Sequence, residues 1–189
     1  MASFSKQHLG VDEPGEWLDA AETAFLRERN EVKILTAAGM PDPRFPLFTL
    51  DEIDAHFAER VAEASRLAAM SLFGAAEAGL RIDFENRASR KVKKRIGSAL
   101  NADFRALRKS HKERVRLDDI LGAWATNEPN VKSSVSSFGK SLHTRHWLAH
   151  GRYWLSKQSS IGFRALGPIV ATMVAEMEAS SSKFFPNPL

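Results

Sequence analysis

From Leu50 onward, apolar residues recur every three or four positions for nearly thirty residues: Leu50, Ile53, Phe57, Val61, Ala64, Leu67, Ala68, Leu72 and Ala75. That period matches the turn of an α-helix and gives it one continuous buried face. Thr49 and Glu52 stand where a capping box needs them, so the helix start is written into the chain. Gly79 is the expected stop, which places this helix at about 50–79. Period-two alternation is absent throughout, so the expected fold class is all-α, a bundle of five or six helices.

The flanking segments read the same way. Trp17, Leu18, Ala21, Phe25, Val32 and Leu35 give an imperfect apolar face to a first helix of about 16–38, closed by Gly39. Pro41, Pro43 and Pro46 then forbid a helix. They make either a stiff extended linker or a long inter-helix loop. The expected organisation is an arm helix with its proline-rich connection over 1–48, a bundle over 49–182 and a tail over 183–189. A short helix is expected over about 118–126, with Leu121 and Trp124 facing inward and the N-E-P-N turn of 127–130 after it. Pro168 suits the first turn of a last helix that buries Ile169, Val170, Met173, Val174 and Met177. In the tail, Phe184 and Phe185 are placed to dock on the bundle or on a partner.

Charge is distributed unevenly. Between Arg87 and Arg116, twelve basic residues face two acidic ones, a net of +10 in a chain of net +4. Val92, Ile96, Ala99 and Leu107 run beneath these charges at helical spacing, with Ser89 as the expected cap of a basic helix. A solvated helix face explains such a run, and so does a polyanion surface in which Lys93, Lys94 and Arg95 contact backbone phosphate.

Chemistry concentrates in Ser141–Trp154, S-L-H-T-R-H-W-L-A-H-G-R-Y-W, which holds three of the six histidines, two of the four tryptophans and the only tyrosine. As a helix from about Val131 to Lys157, its apolar stripe is Val131, Val135, Phe138, Leu142 and Ala149. Arg145 falls inside that stripe, where a charge is costly unless paired or facing a wet cleft. Glu77, in the alanine-rich part of the long helix, is one candidate partner across the bundle; an ordinary exposed glutamate is the other reading. His143, His146 and His150 line one flank, while Trp147 and Trp154 lie opposite the stripe. Arginine grips phosphate through paired hydrogen bonds, and histidine passes protons near neutrality. Arg145 and His150 stand about 140° apart on the helix wheel, so their convergence needs a reaching side chain or a second copy of the helix.

Arg145 to Gly151, R-H-W-L-A-H-G, resembles the R-x4-H motif of the HEPN superfamily, with His146 in the polar slot after the arginine and Ala149 and Gly151 flanking His150. The resemblance implies a small helical bundle with the motif on a late helix. It also implies a metal-independent endoribonuclease, with Arg145, His150 and His146 as catalytic groups at a homodimeric site, acting on RNA without a cofactor. Arg152 and His143 would then help to hold substrate beside Lys93, Lys94 and Arg95. Nucleases of this family often serve as toxins with an antitoxin partner or in phage defence, and some carry a modifiable tyrosine two residues after the histidine. Here Arg152 occupies that place and Tyr153 the next.

Two other readings use the same residues. His143, His146 and His150, at i, i+3 and i+7, form a candidate metal site, although three ligands on one unbroken helix strain the geometry. Alternatively the histidines are structural, and the basic segment binds RNA or a partner without cutting. The absence of cysteine excludes disulfides and thiolate metal sites. With no apolar leader and no run of 18 apolar residues, neither a signal peptide nor a membrane span is expected, and the cytoplasm is the expected location.

Overall fold

The computed structural model describes residues 8–111, 114–150 and 162–189. Among these the chain forms six α-helices and one 3-10 turn, with no strand. The helices are α1 (Glu13–Ala37), α2 (Leu50–Ala88), α3 (Ser98–Ser110), α4 (Leu117–Asn127), α5 (Lys132–Ala149) and α6 (Phe163–Ala179). The 3-10 turn, Pro129–Val131, joins α4 to α5.

The capping box forms as the sequence requires. The Thr49 Oγ1 accepts from the Glu52 N–H at 3.3 Å, and the Glu52 carboxylate accepts from the Thr49 N–H at 2.8 Å. The helix it launches does not stop at Gly79. It runs 39 residues, to Ala88. Gly79 is buried in its interior, and a Cβ there would stand 3.3 Å from both the Phe184 ring and Pro186. The glycine makes room for the C-terminal tail and does not break the helix.

The first half of α2 carries α1 along it. Val32, Phe45, Ile53 and Phe57 form one small apolar cluster, and Leu18, Ala64 and Ala68 another. Trp17 and Leu67, both expected on apolar faces, are about half exposed. The triple-proline stretch is an inter-helix loop made of turns, with the Phe45 N–H on the Asp42 carbonyl at 2.8 Å and the Phe48 N–H on the Phe45 carbonyl at 3.2 Å. It tucks Phe45 against His56 and Phe57.

The second half of α2 is the spine of the main core. Leu72, Phe73, Leu80 and Phe84 meet Leu100 and Phe104 of α3, Trp124 of α4, Phe138 of α5, and Met173 and Met177 of α6. Because α2 persists to Ala88, the expected basic helix over 87–116 is divided. Residues 89–97 form a loop that carries Lys93, Lys94 and Arg95, all exposed. The helix that follows turns Leu100 and Phe104 inward, while Ala99 is exposed. Pro168 lies within α6, which begins five residues earlier at Phe163. Helix α5 ends at Ala149, before the expected limit at Lys157; Gly151 and residues 152–161 lie outside the described residues.

The tail is built into the bundle. Arg87 is fully buried, and its Nε donates to both Asp83 oxygens at 2.9 Å. The same guanidinium donates to the Asn101 Oδ1 at 2.9 Å, to the Ser182 carbonyl at 2.7 Å and to the Lys183 carbonyl. It lies between the Trp124 and Phe185 rings, 5.2 Å from each centroid. Asn86 grips the Asn187 carbonyl at 2.8 Å. Gly97, at φ +56°, permits a close approach: a Cβ there would lie 2.7 Å from the Ser182 Oγ and 2.8 Å from the Arg87 Nη1.

Burial raises the Asp83 pKa to about 6, against the opposing pull of Arg87 and of the Phe185 N–H. The folded chain therefore holds this proton more tightly than the unfolded chain, and ionising Asp83 costs stability as pH rises from about 4 to about 6. Asp83→Asn has no such proton to lose. Its deficit relative to wild type is expected to be largest near pH 4 and to shrink by pH 7, read from urea unfolding at the two pH values. A deficit that grows with pH would mean that the ion pair holds Asp83 ionised.

Candidate functional site

Three stretches converge at the C-terminal end of α5: the last turns of that helix, the middle of α2, and the residues just before α4. Phe138 anchors α5 in the core, and Ser141 and Thr144 complete its inward face. This rotation leaves Leu142 half-buried against the core and Ala149 exposed, so only the last position of the expected apolar stripe leaves the packing face. Arg145 lies at the edge of the packed face with its side chain 40% exposed.

Its partner is Glu77. The Arg145 Nη2 stands 2.7 Å from the Glu77 Oε2. Glu77 is buried at 8% exposure, because α2 turns this position toward Arg145 of α5 and Arg114. The other carboxylate oxygen takes the Arg81 Nε at 2.8 Å and the Arg114 Nη2 at 3.4 Å. Arg81 is fixed further by its Nη1, which donates to the Val115 carbonyl at 3.1 Å. One carboxylate thus gathers three guanidinium groups, and the cluster carries two positive charges in excess. A buried glutamate requires such neutralisation.

His146 and His150 stand one helical turn apart, their ring centroids 4.2 Å from each other and their planes tilted by 56°. His150 caps α5, with its N–H on the His146 carbonyl at 3.1 Å. Both residues are exposed at the helix end. His143, one turn earlier, is turned onto its own helix: Nδ1 lies on the Lys140 carbonyl and Nε2 is 3.2 Å from the Thr144 Oγ1. Among the described residues no set of three His, Asp or Glu side chains is placed to hold a metal ion.

Two groups expected at this site are placed elsewhere or not described. Arg152 lies outside the described residues. Lys93, Lys94 and Arg95 lie past the C-terminal end of α2, in a loop next to the tail where Lys91 meets the Leu189 carbonyl at 2.6 Å. From Glu77 to Ala88 the helix axis advances about 16 Å, so these cations flank the opposite end of the bundle half. Arg81 and Arg114 take their place beside Arg145. Arg81 carries a local signal, a Glu77–Arg81 pair at i, i+4. Arg114 is 37 residues from Glu77 and carries none.

The end of α5 thus carries an arginine held on a shared carboxylate and, on its exposed side, two imidazoles in contact with each other. No helix among the described residues is long and apolar enough to cross a membrane. Compared with family models, with curated proteins and with solved structures, the chain matches none.

Proposed function

We propose that this chain is a metal-independent endoribonuclease of HEPN type. One observation carries the reading: the paired His146 and His150 rings stand at the end of the helix whose Arg145 belongs to an arginine cluster of net positive charge. In the proposed reaction the 2′-oxygen of a ribose attacks the adjacent phosphorus and the bond from phosphorus to the 5′-oxygen breaks. One imidazole takes the 2′-hydroxyl proton, and a protonated imidazole gives one to the leaving 5′-oxygen. The products are a 2′,3′-cyclic phosphate and a 5′-hydroxyl. Arg145 stabilises the charge that builds on the phosphorus oxygens. His150 is the base or acid, and His146 orients the phosphate or shares the proton transfer.

A homodimer that brings two α5 ends together doubles this set of groups, as the resemblance implies. By the same resemblance the setting is a toxin with its antitoxin, or a phage-defence system. The test is incubation of purified protein with a broad RNA pool in excess chelator, with chemical mapping of the new ends. Cyclic-phosphate ends in chelator are the expected result; no cutting, or cutting only with added metal, overturns the proposal.

The salt bridge from Arg145 to Glu77 favours a second reading, a non-catalytic module whose arginines are structural and whose basic surface binds RNA or protein. In that case RNA binding survives His150→Ala and wild type cuts nothing.

A further inference from the structure

The carboxylate of Glu77 occupies the place that a phosphate oxygen pair would take among Arg81, Arg114 and Arg145. The three guanidinium groups are not held equally. Arg81 is pinned from two sides, by Glu77 and by the Val115 carbonyl, and its side chain is 26% exposed. Arg145 makes one short contact. Arg114 makes a single contact at 3.4 Å, and its side chain is 73% exposed. A guanidinium that is already in water and weakly paired costs little to transfer to a phosphate, and it offers the fork that phosphate takes in two hydrogen bonds. All three reach one carboxylate, so they span no more than neighbouring phosphates of a single strand.

We propose that Arg114, backed by Arg81, binds the phosphate next to the one held at Arg145, and that Glu77 is a resident anion which the RNA backbone displaces from Arg145. The substrate class is single-stranded RNA engaged over at least two consecutive phosphates. This rests on the RNA reading above and deepens it. Glu77 then has two effects: without RNA it keeps three like charges together on a folded surface, and with RNA it competes for Arg145. The second cation of the site is thus Arg114, not the Lys93–Arg95 loop at the far end of α2.

The experiment uses the full chain and a fluorescein-labelled, 2′-O-methylated single-stranded RNA, which binds but offers no 2′-hydroxyl for attack. Anisotropy titrations over a salt series give both affinity and its salt slope. Arg114→Ala is expected to weaken binding about 3–10-fold and to lower the slope of log affinity against log salt by about 0.7, the share of one phosphate on a single strand. Arg27→Ala removes an exposed charge from α1 and is expected to leave the slope unchanged. Glu77→Gln is expected to tighten binding several-fold; if that variant loses helicity, Glu77→Asp, which withdraws the carboxylate by one methylene, is expected to act in the same direction. Arg114→Ala indistinguishable from Arg27→Ala overturns the inference, and so does weaker binding by a folded Glu77 variant. Cleavage of unmodified RNA without the Arg114 effect overturns this inference alone. The Arg114 effect without cleavage overturns the nuclease reading alone.

Discussion

Arg87→Met lowers the stability of the fold by about 3–5 kcal/mol, the scale for removing one partner from a buried ion pair. Methionine fits the volume but supplies no donor, so the loss is electrostatic and hydrogen-bonding, not a cavity. Left behind are the Asn101 Oδ1 and the carbonyls of Ser182 and Lys183, all of which accept from Arg87 in the wild type. Each unpaired buried acceptor costs about 1–3 kcal/mol. Asp83 loses its counter-charge in a site where burial already holds its pKa near 6, so it takes up a proton at neutral pH and limits the damage. The effect is a large share of the roughly 5–15 kcal/mol that holds a domain together. Urea unfolding by circular dichroism measures it, and a loss below about 1 kcal/mol would contradict the buried network. The double variant Asp83→Asn/Arg87→Met is expected to lose less than the two single losses added, because each single change strands what the other removes.

The same cluster shows why parts of this fold were legible in the sequence and others were not. The Thr49 and Glu52 box concerns four adjacent residues, so its geometry is local and the helix start came out as expected. The helix end did not. Gly79 looks like a stop by composition, and what it serves is a segment more than a hundred residues later, Phe184 and Pro186. Once α2 continues to Ala88, Arg87 faces inward to the tail and the basic run is cut at the 89–97 loop, which the periodicity of Val92 and Ile96 could not reveal. Proline is best tolerated in a first turn, which is why Pro168 reads as one; α6 carries it deeper in the helix, on an exposed face. At the candidate site, Arg145 announces its need for a partner by sitting among apolar positions, while the sequence leaves Glu77 with two readings, that partner or an ordinary exposed glutamate. Arg81 stands at i, i+4 from Glu77, a local signal that the reading of the motif did not use; Arg114 was not legible, since it reaches Glu77 from 37 residues along the chain.

On the proposed nuclease reading, loss of RNA cleavage in Arg145→Ala and in His150→Ala is the second large expected effect, and the two losses differ in kind. His150→Ala would remove the proposed acid–base group, a role worth about 10²–10⁴-fold in rate. Arg145→Ala would remove the charge proposed to stabilise the phosphorus oxygens, worth about 10²–10³-fold for a donor of this type, and on the same reading it also weakens substrate binding. Arg145→Ala further leaves Glu77 with Arg81 and Arg114, a carboxylate still neutralised, so this variant stays folded and its loss is chemical. His150 is exposed at the end of α5, and its truncation spares the core. His146→Ala is expected to fall between wild type and His150→Ala. Single-turnover cleavage in chelator separates the contributions, with circular dichroism confirming each fold. Mixing the Arg145→Ala and His150→Ala proteins adds the decisive arm. If the site is built from two chains, mixed dimers contain one intact arginine and one intact histidine opposite each other, and part of the activity returns on mixing. If each chain works alone, with its own His146 and His150 side by side, mixing restores nothing. Full activity in both single variants would place the chemistry away from α5 altogether.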